Sequence, residues 1–165
     1  MTAPDTPEGR LAAAGHALPA SPQPRGRYAP YHRAPLAPGV DLVTISGQTP
    51  RVDNVAQAGI CVPGEPLDTA RSGARLAMLR VLSALALACG GALPAQLDLL
   101  RLRGYVRSTP DFGSHTAVLD AASELLSIAW PDAALPARTA VGVPSLPDGA
   151  IVEIELDALW RHGAA

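Results

Sequence analysis

The stretch Arg138–Asp157 constrains the fold more than any other part of this chain. Two segments, 138–143 and 150–157, are rich in β-branched residues and flank residues 144–149, where two prolines and an Asp-Gly pair have the composition of a turn. The second segment alternates between apolar and acidic residues, which is typical of a strand with one buried face. The pattern predicts a β-hairpin whose second strand carries one acidic face, formed by Glu153, Glu155 and Asp157.

A hairpin folded symmetrically about this turn places Arg138 opposite Glu155. The same register places Ala140 opposite Glu153, so Arg138 and Glu153 project from one face, where diagonal neighbours lie roughly 7–8 Å apart. One interpretation is a solvated surface ion pair, which is the more common arrangement and stabilises a protein little. The other is a site that holds a small anion and a water. The residues by themselves leave both interpretations open.

Composition limits the class of protein. The chain has 165 residues, of which 48% are hydrophobic and 17% charged, values typical of one globular domain with its own core. The net charge of −2 argues against a large electrostatic surface for nucleic acid. Cys61 and Cys89 are not spaced as a metal motif, so we interpret both as buried thiols and expect no metal.

No segment resembles a signal peptide or a membrane span. Residues 1–20 lack an apolar core behind a basic start, and the apolar run Leu76–Cys89 is short and interrupted by Arg80. We therefore expect a cytoplasmic protein that does not interact with membranes. The predicted organisation is a loose tail, one domain and a second tail, at residues 1–7, 8–159 and 160–165.

Hydrophobic periodicity predicts two long helices, over about Pro66–Cys89 and Ser114–Ile128. Strands are predicted around them, over Tyr28–Arg33, Val40–Gln48, Gln57–Val62, Gln96–Val106 and the two arms of the hairpin. The order β-β-β-α-β-α-β-β predicts an α+β fold, a six-stranded mixed sheet with both helices on one face. Because the other, partly polar face then stays uncovered, we expect a homo-oligomer.

Few residues carry recognisable chemistry. The chain has no phosphate-binding loop, dinucleotide fingerprint, HExxH or CxxC motif, and its histidines are scattered, so we interpret them as surface or loop residues: His16, His32, His115 and His162. Arg138 presents a planar fork suited to a carboxylate, and Glu153 has the chemistry of a general base. Tyr28 offers a hydroxyl to a ligand or forms part of an amphipathic wall. Gly47 predicts a β-bulge or a close backbone approach.

Four segments resemble, in order, those of the Rid/YjgF family, the reactive intermediate deaminases once labelled L-PSP endoribonucleases. They are Gly26-Arg27-Tyr28, Ser46-Gly47-Gln48-Thr49-Pro50, Pro136-Ala137-Arg138-Thr139-Ala140-Val141, and Leu146-Pro147 followed by Val152-Glu153-Ile154-Glu155. The similarity extends from about Glu8 to Leu159. The longer N-terminal part resembles a subgroup described as chorismate-mutase-like.

The resemblance implies a chorismate-mutase-like (YjgF) fold and a homotrimer with ligand clefts between subunits. It implies hydrolysis of a small enamine or imine carboxylate, such as 2-aminoacrylate, to a keto acid and ammonia, with no cofactor and no metal. By similarity, Arg138 binds the substrate carboxylate and Glu153 positions the attacking water. The residues expected to line the cleft are Tyr28, Ser46, Gly47 and, near the position of a family asparagine, Thr116.

Two departures from the family pattern concern the substrate. Ala140 stands where many members have a cysteine, which excludes a role for a thiol. The loop Tyr28–Val40 is longer than in typical members, which reshapes or blocks the cleft. Two alternatives to the deaminase therefore stay open: a non-enzymatic carboxylate-binding or regulatory protein, and a specialised enzyme of secondary metabolism using the same cleft. Ribonuclease activity is least favoured, because the net charge is negative and the chain has no lysine and no histidine pair.

Overall fold

The computed structural model describes residues 5–162, which form three helices and seven strands. In chain order these elements are α1 (Pro7–Ala13), β1 (Tyr31–Ala37), β2 (Val40–Gln48), β3 (Arg51–Val52), β4 (Val55–Ala56), α2 (Asp68–Ala88), β5 (Leu97–Arg107), α3 (His115–Ala129), β6 (Ala137–Val143) and β7 (Val152–Arg161). A single 3-10 turn, Pro147–Gly149, connects β6 to β7. None of the helices in this part of the chain is long and apolar enough to cross a membrane.

Five strands form the main sheet, in the order β1-β2-β7-β5-β6. β5 and β6 are parallel, and the other pairs are antiparallel. The predicted α+β class is confirmed, but the predicted strand count is not. The third strand expected at Gln57–Val62 is absent from the described residues; β3 and β4 form a separate two-stranded ribbon just before it, and only isolated bridges at Ala58 and Cys61 follow.

The helices pack on one face of the sheet, which we call the helix face. The small residues Ala74 and Ala77 of α2 are fully buried, as are Val81 and Leu85 one and two turns further along. Because alanine side chains are small, this stripe lets the helix lie close to the strands. Both predicted helices are therefore confirmed, with α2 beginning at Asp68 rather than Pro66. Both cysteines are free thiols; Cys61 is buried as predicted, whereas Cys89 is only partly buried. Burial raises the pKa of Cys89 to about 11.

β7 lies at the centre of the sheet and alternates as its sequence predicts. Its apolar residues are buried on the helix face: Val152, Ile154 and Leu156. Its acidic residues point to the opposite side, which we call the open face: Glu153, Glu155 and Asp157. On that face Arg103 of β5 binds Glu155 and Asp157, at 3.3 and 2.8 Å.

The predicted hairpin is wrong, because β5 lies between β6 and β7. Leu102 of β5 pairs with Arg138 on one side and with Leu156 on the other. Directly opposed residues project from the same face, so Arg138 is on the helix face. Glu153 pairs with Tyr105 and is on the open face. The expected Arg138–Glu155 pairing therefore does not exist within the chain.

The segment predicted as a long loop, Tyr28–Val40, contains β1, which pairs with β2 at the edge of the sheet. Its Arg33 forms an ion pair with the buried Asp41 and stacks over Trp160, 4.5 Å from the ring centroid. Trp160 and Arg161 belong to β7, so the predicted tail at 160–165 begins inside a strand. The rest of that tail, from residue 163, and residues 1–4 of the N-terminal tail lie outside the described residues.

Candidate active site

Glu153 lies over Gly47, at a break in the pairing of β2 with β7. The register of the two strands shifts between Ile45 and Gln48, which confirms the bulge predicted at Gly47. A Cβ atom added at Gly47 would collide with the Glu153 carboxylate. Only glycine leaves room for the carboxylate at this point, and the bulge is what brings the two residues together.

A cavity of about 240 Å³ opens beside this contact, and we call it the Glu153 cavity. Its lining includes Tyr28, Gly47 and Glu153, so the structure brings together three of the six residues singled out from the sequence. Ser46 is close by but has a different task. Its hydroxyl donates to the carbonyl oxygen of Ala29 at 2.7 Å, which fixes the backbone that follows Tyr28.

Replacing Gly47 with alanine should remove any function that depends on Glu153. The added methyl group must displace the carboxylate or distort the bulge, because it would occupy the space of the carboxylate. We expect loss of activity with a stability cost on the order of 1–3 kcal/mol. The measurements are the thermal midpoint and the rate of hydrolysis of 2-aminoacrylate, the substrate that the sequence resemblance implies. Gly64→Ala is the control; that glycine has no neighbouring atom within 4 Å, although its φ of +82° gives it a strain cost of its own. Full activity of Gly47→Ala would contradict this placement of Glu153.

The Glu153 carboxylate is half-buried and accepts no hydrogen bond from any residue in the described part of the chain. Burial raises its pKa above the ordinary value, and the nearby charge of Glu155 raises it further. A carboxylate with free lone pairs and a raised pKa is suited to accept a proton from a water molecule.

Three arginines line the same cavity, and sequence analysis did not single out any of them: Arg25, Arg51 and Arg80. Arg25 and the buried Arg51 both bind Asp148, at 2.6 and 2.7 Å. Arg51 also donates to the Thr49 hydroxyl and to the carbonyl oxygen of Asn54, each at 3.0 Å. The only sequence signal for this group was Arg80, a single charge within an apolar run.

Arg138 is on β6 and contacts α3 rather than the Glu153 cavity. Its guanidinium binds Asp120 and donates to the Ser123 hydroxyl, both at 2.9 Å. The contact with Thr116 is to the backbone carbonyl oxygen, at 3.5 Å from Nη2. The predicted role of the Thr116 side chain therefore has no counterpart in these contacts.

Further along β6, the helix face carries a second group that the sequence did not reveal. His115 Nε2 lies 3.3 Å from the Ser108 hydroxyl. A Cβ atom at Gly142 would lie 2.5 Å from His115 Nε2 and 2.6 Å from the Ser108 oxygen, so the pair depends on glycine there. These residues line a separate open cavity of about 440 Å³. Residues 108, 115 and 142 are separated along the chain, and their spacing matches no common catalytic motif.

The candidate site therefore consists of two halves. One half is the Glu153 cavity at the end of β2, and the other is Arg138 with the N-terminal part of α3. Within one chain Arg138 and Glu153 lie on opposite faces of the sheet, on strands that are separated by β5. No group of three or more potential metal ligands occurs among His, Cys, Asp and Glu in residues 5–162.

Comparisons with known proteins agree with this architecture. The family model described as Endoribonuclease L-PSP matches residues 19–160. TCP17 from Trypanosoma cruzi is 33% identical over 157 residues, covering 89% of this chain and 92% of that protein. The crystal structure of Atu1372 from Agrobacterium tumefaciens, a protein with unknown function, has a TM-score of 0.78 at 30% identity and covers 97% of this chain and 95% of its own.

The YjgF gene product from E. coli has a TM-score of 0.54 at 25% identity, covering 86% of this chain and 92% of that one. The family match spans most of the chain, and the resemblance carried by the four sequence segments is confirmed. The chain belongs to the endoribonuclease L-PSP family, also known as the YjgF/Rid family.

Proposed function

We propose that this protein hydrolyses a small imine or enamine carboxylate to a keto acid and ammonia, in a cleft between subunits of a homotrimer. The observation that carries the proposal is Glu153, a half-buried carboxylate with a raised pKa and no hydrogen-bond donor from the described residues. A partly buried carboxylate without a hydrogen-bond donor lowers the stability of the folded protein unless it interacts with a ligand or a water. Membership of the Rid family supports the same reaction class.

In the proposed reaction Glu153 accepts a proton from a water while the water oxygen bonds to the imine carbon. The electron pair of the C=N bond moves to nitrogen, which takes the proton back from Glu153, so that a carbinolamine forms. The hydroxyl of the carbinolamine then gives its proton to the nitrogen by way of Glu153, the C–N bond breaks, and the keto acid and ammonia leave. An enamine first takes up a proton on carbon to become the imine. Since an imine is already electrophilic, positioning the water and balancing charge supply most of the catalysis.

Arg138 is proposed to bind the substrate carboxylate. Its contacts with Asp120 and Ser123 use Nη1 and Nη2, and within residues 5–162 no hydrogen bond involves Nε. A guanidinium has five N–H donors, so capacity for a ligand carboxylate remains. Because Arg138 and Glu153 lie on opposite faces of one sheet, they can act together only if the Arg138 half of one subunit meets the Glu153 half of its neighbour.

Mixing two impaired variants tests this arrangement. We expect Arg138→Gln and Glu153→Gln each to retain no more than about a tenth of the wild-type rate at low substrate concentration. Their co-expressed mixture should recover roughly a quarter of the wild-type rate. That fraction is the chance that a cleft receives its arginine half from one variant and its glutamate half from the other, in closed rings assembled at random. The rate is measured by semicarbazone trapping of the imine on the unfractionated mixture. Purification of the mixed trimers through a different tag on each variant should raise the recovery to roughly a third, because one of the three clefts in every mixed ring is then complete.

Three results would contradict the proposal. No recovery in mixed oligomers would mean that the two residues do not share an intersubunit cleft. A wild-type protein that does not accelerate the loss of 2-aminoacrylate or 2-iminopropionate over buffer would remove the deaminase activity for those substrates. A monomer by size exclusion with light scattering would remove the cleft.

One observation favours the non-enzymatic alternative, a protein that binds a small carboxylate. Arg138 is already paired with Asp120, whereas the Glu153 cavity keeps its own arginines. In that case ligand binding should be lost on changing the cavity arginines and retained in Arg138→Gln. Native mass spectrometry of the purified protein distinguishes a retained ligand from an empty cavity.

A further inference from the structure

Arg80 is a cation without a partner at the wall of the Glu153 cavity. Of the three arginines there, Arg25 and Arg51 share Asp148. The Arg80 side chain forms no hydrogen bond and no ion pair with any residue in 5–162, and its Nε atom is fully buried. Burial lowers the pKa of its guanidinium, and the positive charge of Arg51 lowers it further.

This arrangement differs from that of the other arginines on α2. Arg71 and Arg75 both bind Glu124 of α3, at 2.8 and 3.2 Å, and so help to hold the two helices together. Arg80 holds nothing together. A guanidinium that is partly removed from water and left unpaired opposes folding, so its position is best explained by a ligand that pairs with it.

We propose that Arg80 binds a carboxylate of the ligand, so that the site selects small substrates carrying two carboxylate groups. The inference rests on the proposed function: one carboxylate is held by Arg138 of the neighbouring subunit, and the second by Arg80. The substrate class is then the imine of a dicarboxylic amino acid, rather than that of alanine or serine.

The charge and size of the cavity agree with this class. Its three arginines face two carboxylates, Asp148 and Glu153, so one positive charge remains uncompensated. Arg25 and Arg51 both donate to Oδ2 of Asp148, and the Arg80 side chain makes no bond to that carboxylate, which leaves Arg80 for the ligand. A volume of about 240 Å³ is below the range typical of drug-sized ligands, and it suits a metabolite of a few carbon atoms.

Two imines that differ by one carboxylate test the inference. Alanine and glutamate are each converted by an amino acid oxidase to 2-iminopropionate and 2-iminoglutarate, and kcat/KM is measured for wild type and for Arg80→Gln. We expect wild type to prefer 2-iminoglutarate, and Arg80→Gln to reduce that preference roughly 10- to 100-fold, the effect of one charge-assisted hydrogen bond. Arg75→Gln is the matched control, because Arg75 is on the same helix and binds Glu124.

A binding measurement without turnover separates this inference from the proposed function. By calorimetry, wild type should bind 2-oxoglutarate more tightly than pyruvate or inorganic phosphate, and Arg80→Gln should lose most of the difference. If wild type hydrolyses neither imine but shows this binding pattern, the proposed function fails and the role of Arg80 stands. If Arg80→Gln affects both imines equally, if phosphate binds best, or if the variant unfolds at a lower temperature than wild type, Arg80 is not a selective carboxylate site.

Discussion

Glu153→Gln should abolish imine hydrolysis and leave the oligomer intact. Glutamine has the size of glutamate but cannot accept a proton from water, and general-base catalysis typically contributes about 100-fold or more to the rate. The measurement is kcat/KM by semicarbazone trapping, with size exclusion to verify assembly. Glu155→Gln is the matched control, since Glu155 is on the same strand and face but binds Arg103. Equal losses in the two variants would mean that the acidic face, and not Glu153 itself, supports activity.

The same substitution should make the folded chain more stable at neutral pH. The pKa of Glu153 is raised by burial and by Glu155, so the folded state holds the proton more tightly than the unfolded state. The contribution of Glu153 to the free energy of unfolding is therefore fully present at low pH. It is lost as the pH rises from the ordinary pKa of glutamate through the raised pKa of Glu153. We expect a gain in the free energy of unfolding of at most about 1 kcal/mol above that window, and none at pH 4.

The pH dependence of the thermal midpoint shows whether Glu153→Gln raises or lowers the free energy of unfolding. The curves of wild type and Glu153→Gln should meet at acid pH and diverge as pH rises. A variant that is less stable than wild type at neutral pH would indicate that the carboxylate is satisfied in the folded protein. That result would remove the observation on which the proposed function depends.

Arg138→Gln should raise KM by at least roughly 10-fold, because it removes a charge-assisted contact with the substrate carboxylate. It should also lower stability, since Ser123 and Asp120 of α3 lose their partner. The two effects must be separated, because a structural arginine would produce the second one only. Steady-state kinetics and a urea titration on the same samples give both values.

Asp120→Asn provides that separation. It removes the ion pair but keeps Arg138 and its bond to Ser123, and the Asp120 side chain is 52% exposed. An exposed ion pair is worth about 1 kcal/mol or less, so KM should change by less than about fivefold. If Asp120→Asn raises KM as much as Arg138→Gln does, Arg138 acts through α3 and does not itself bind the carboxylate.

Patterns local to one segment predicted the structure well. The alternation in β7 identified which of its residues are buried, and the periodicity of α2 and α3 identified both helices. Gly47 was a sound guide to the bulge, because a glycine inside a strand usually marks a break in pairing or a close approach. In each case the structure is determined by residues that are close to one another along the chain.

The partners of the strands were not predictable in the same way. Residues 144–149 have turn composition, but the connection from Val143 to Val152 spans eight residues, longer than the usual loop of a hairpin. The β5-α3-β6 unit places β6 beside β5 as a parallel neighbour. The loop that follows β6 then crosses the end of β5, so that β7 pairs with the opposite edge of β5. The length of the loop between β6 and β7 is the one feature of the sequence that argues against direct pairing of these two strands.

The error in pairing had a direct effect on the candidate site. A hairpin would have placed Arg138 and Glu153 on one face of one chain, whereas the sheet places them on opposite faces. Arg80 was outside the reach of sequence patterns for another reason. It is 73 residues from Glu153 along the chain, and only the packing of α2 against the sheet brings both to one cavity.

The central position of β7 has a consequence for how the protein is made. β2 is finished more than a hundred residues before β7 is synthesised, and until then β2 and β5 have no strand between them. Strand pairs that are this distant in sequence form slowly, and the apolar residues of β2 and β5 stay exposed until β7 pairs with them. We therefore expect nascent chains that lack β7 to depend on chaperones and to be degraded, and we expect nonsense mutations between β6 and β7 to be as damaging as earlier ones.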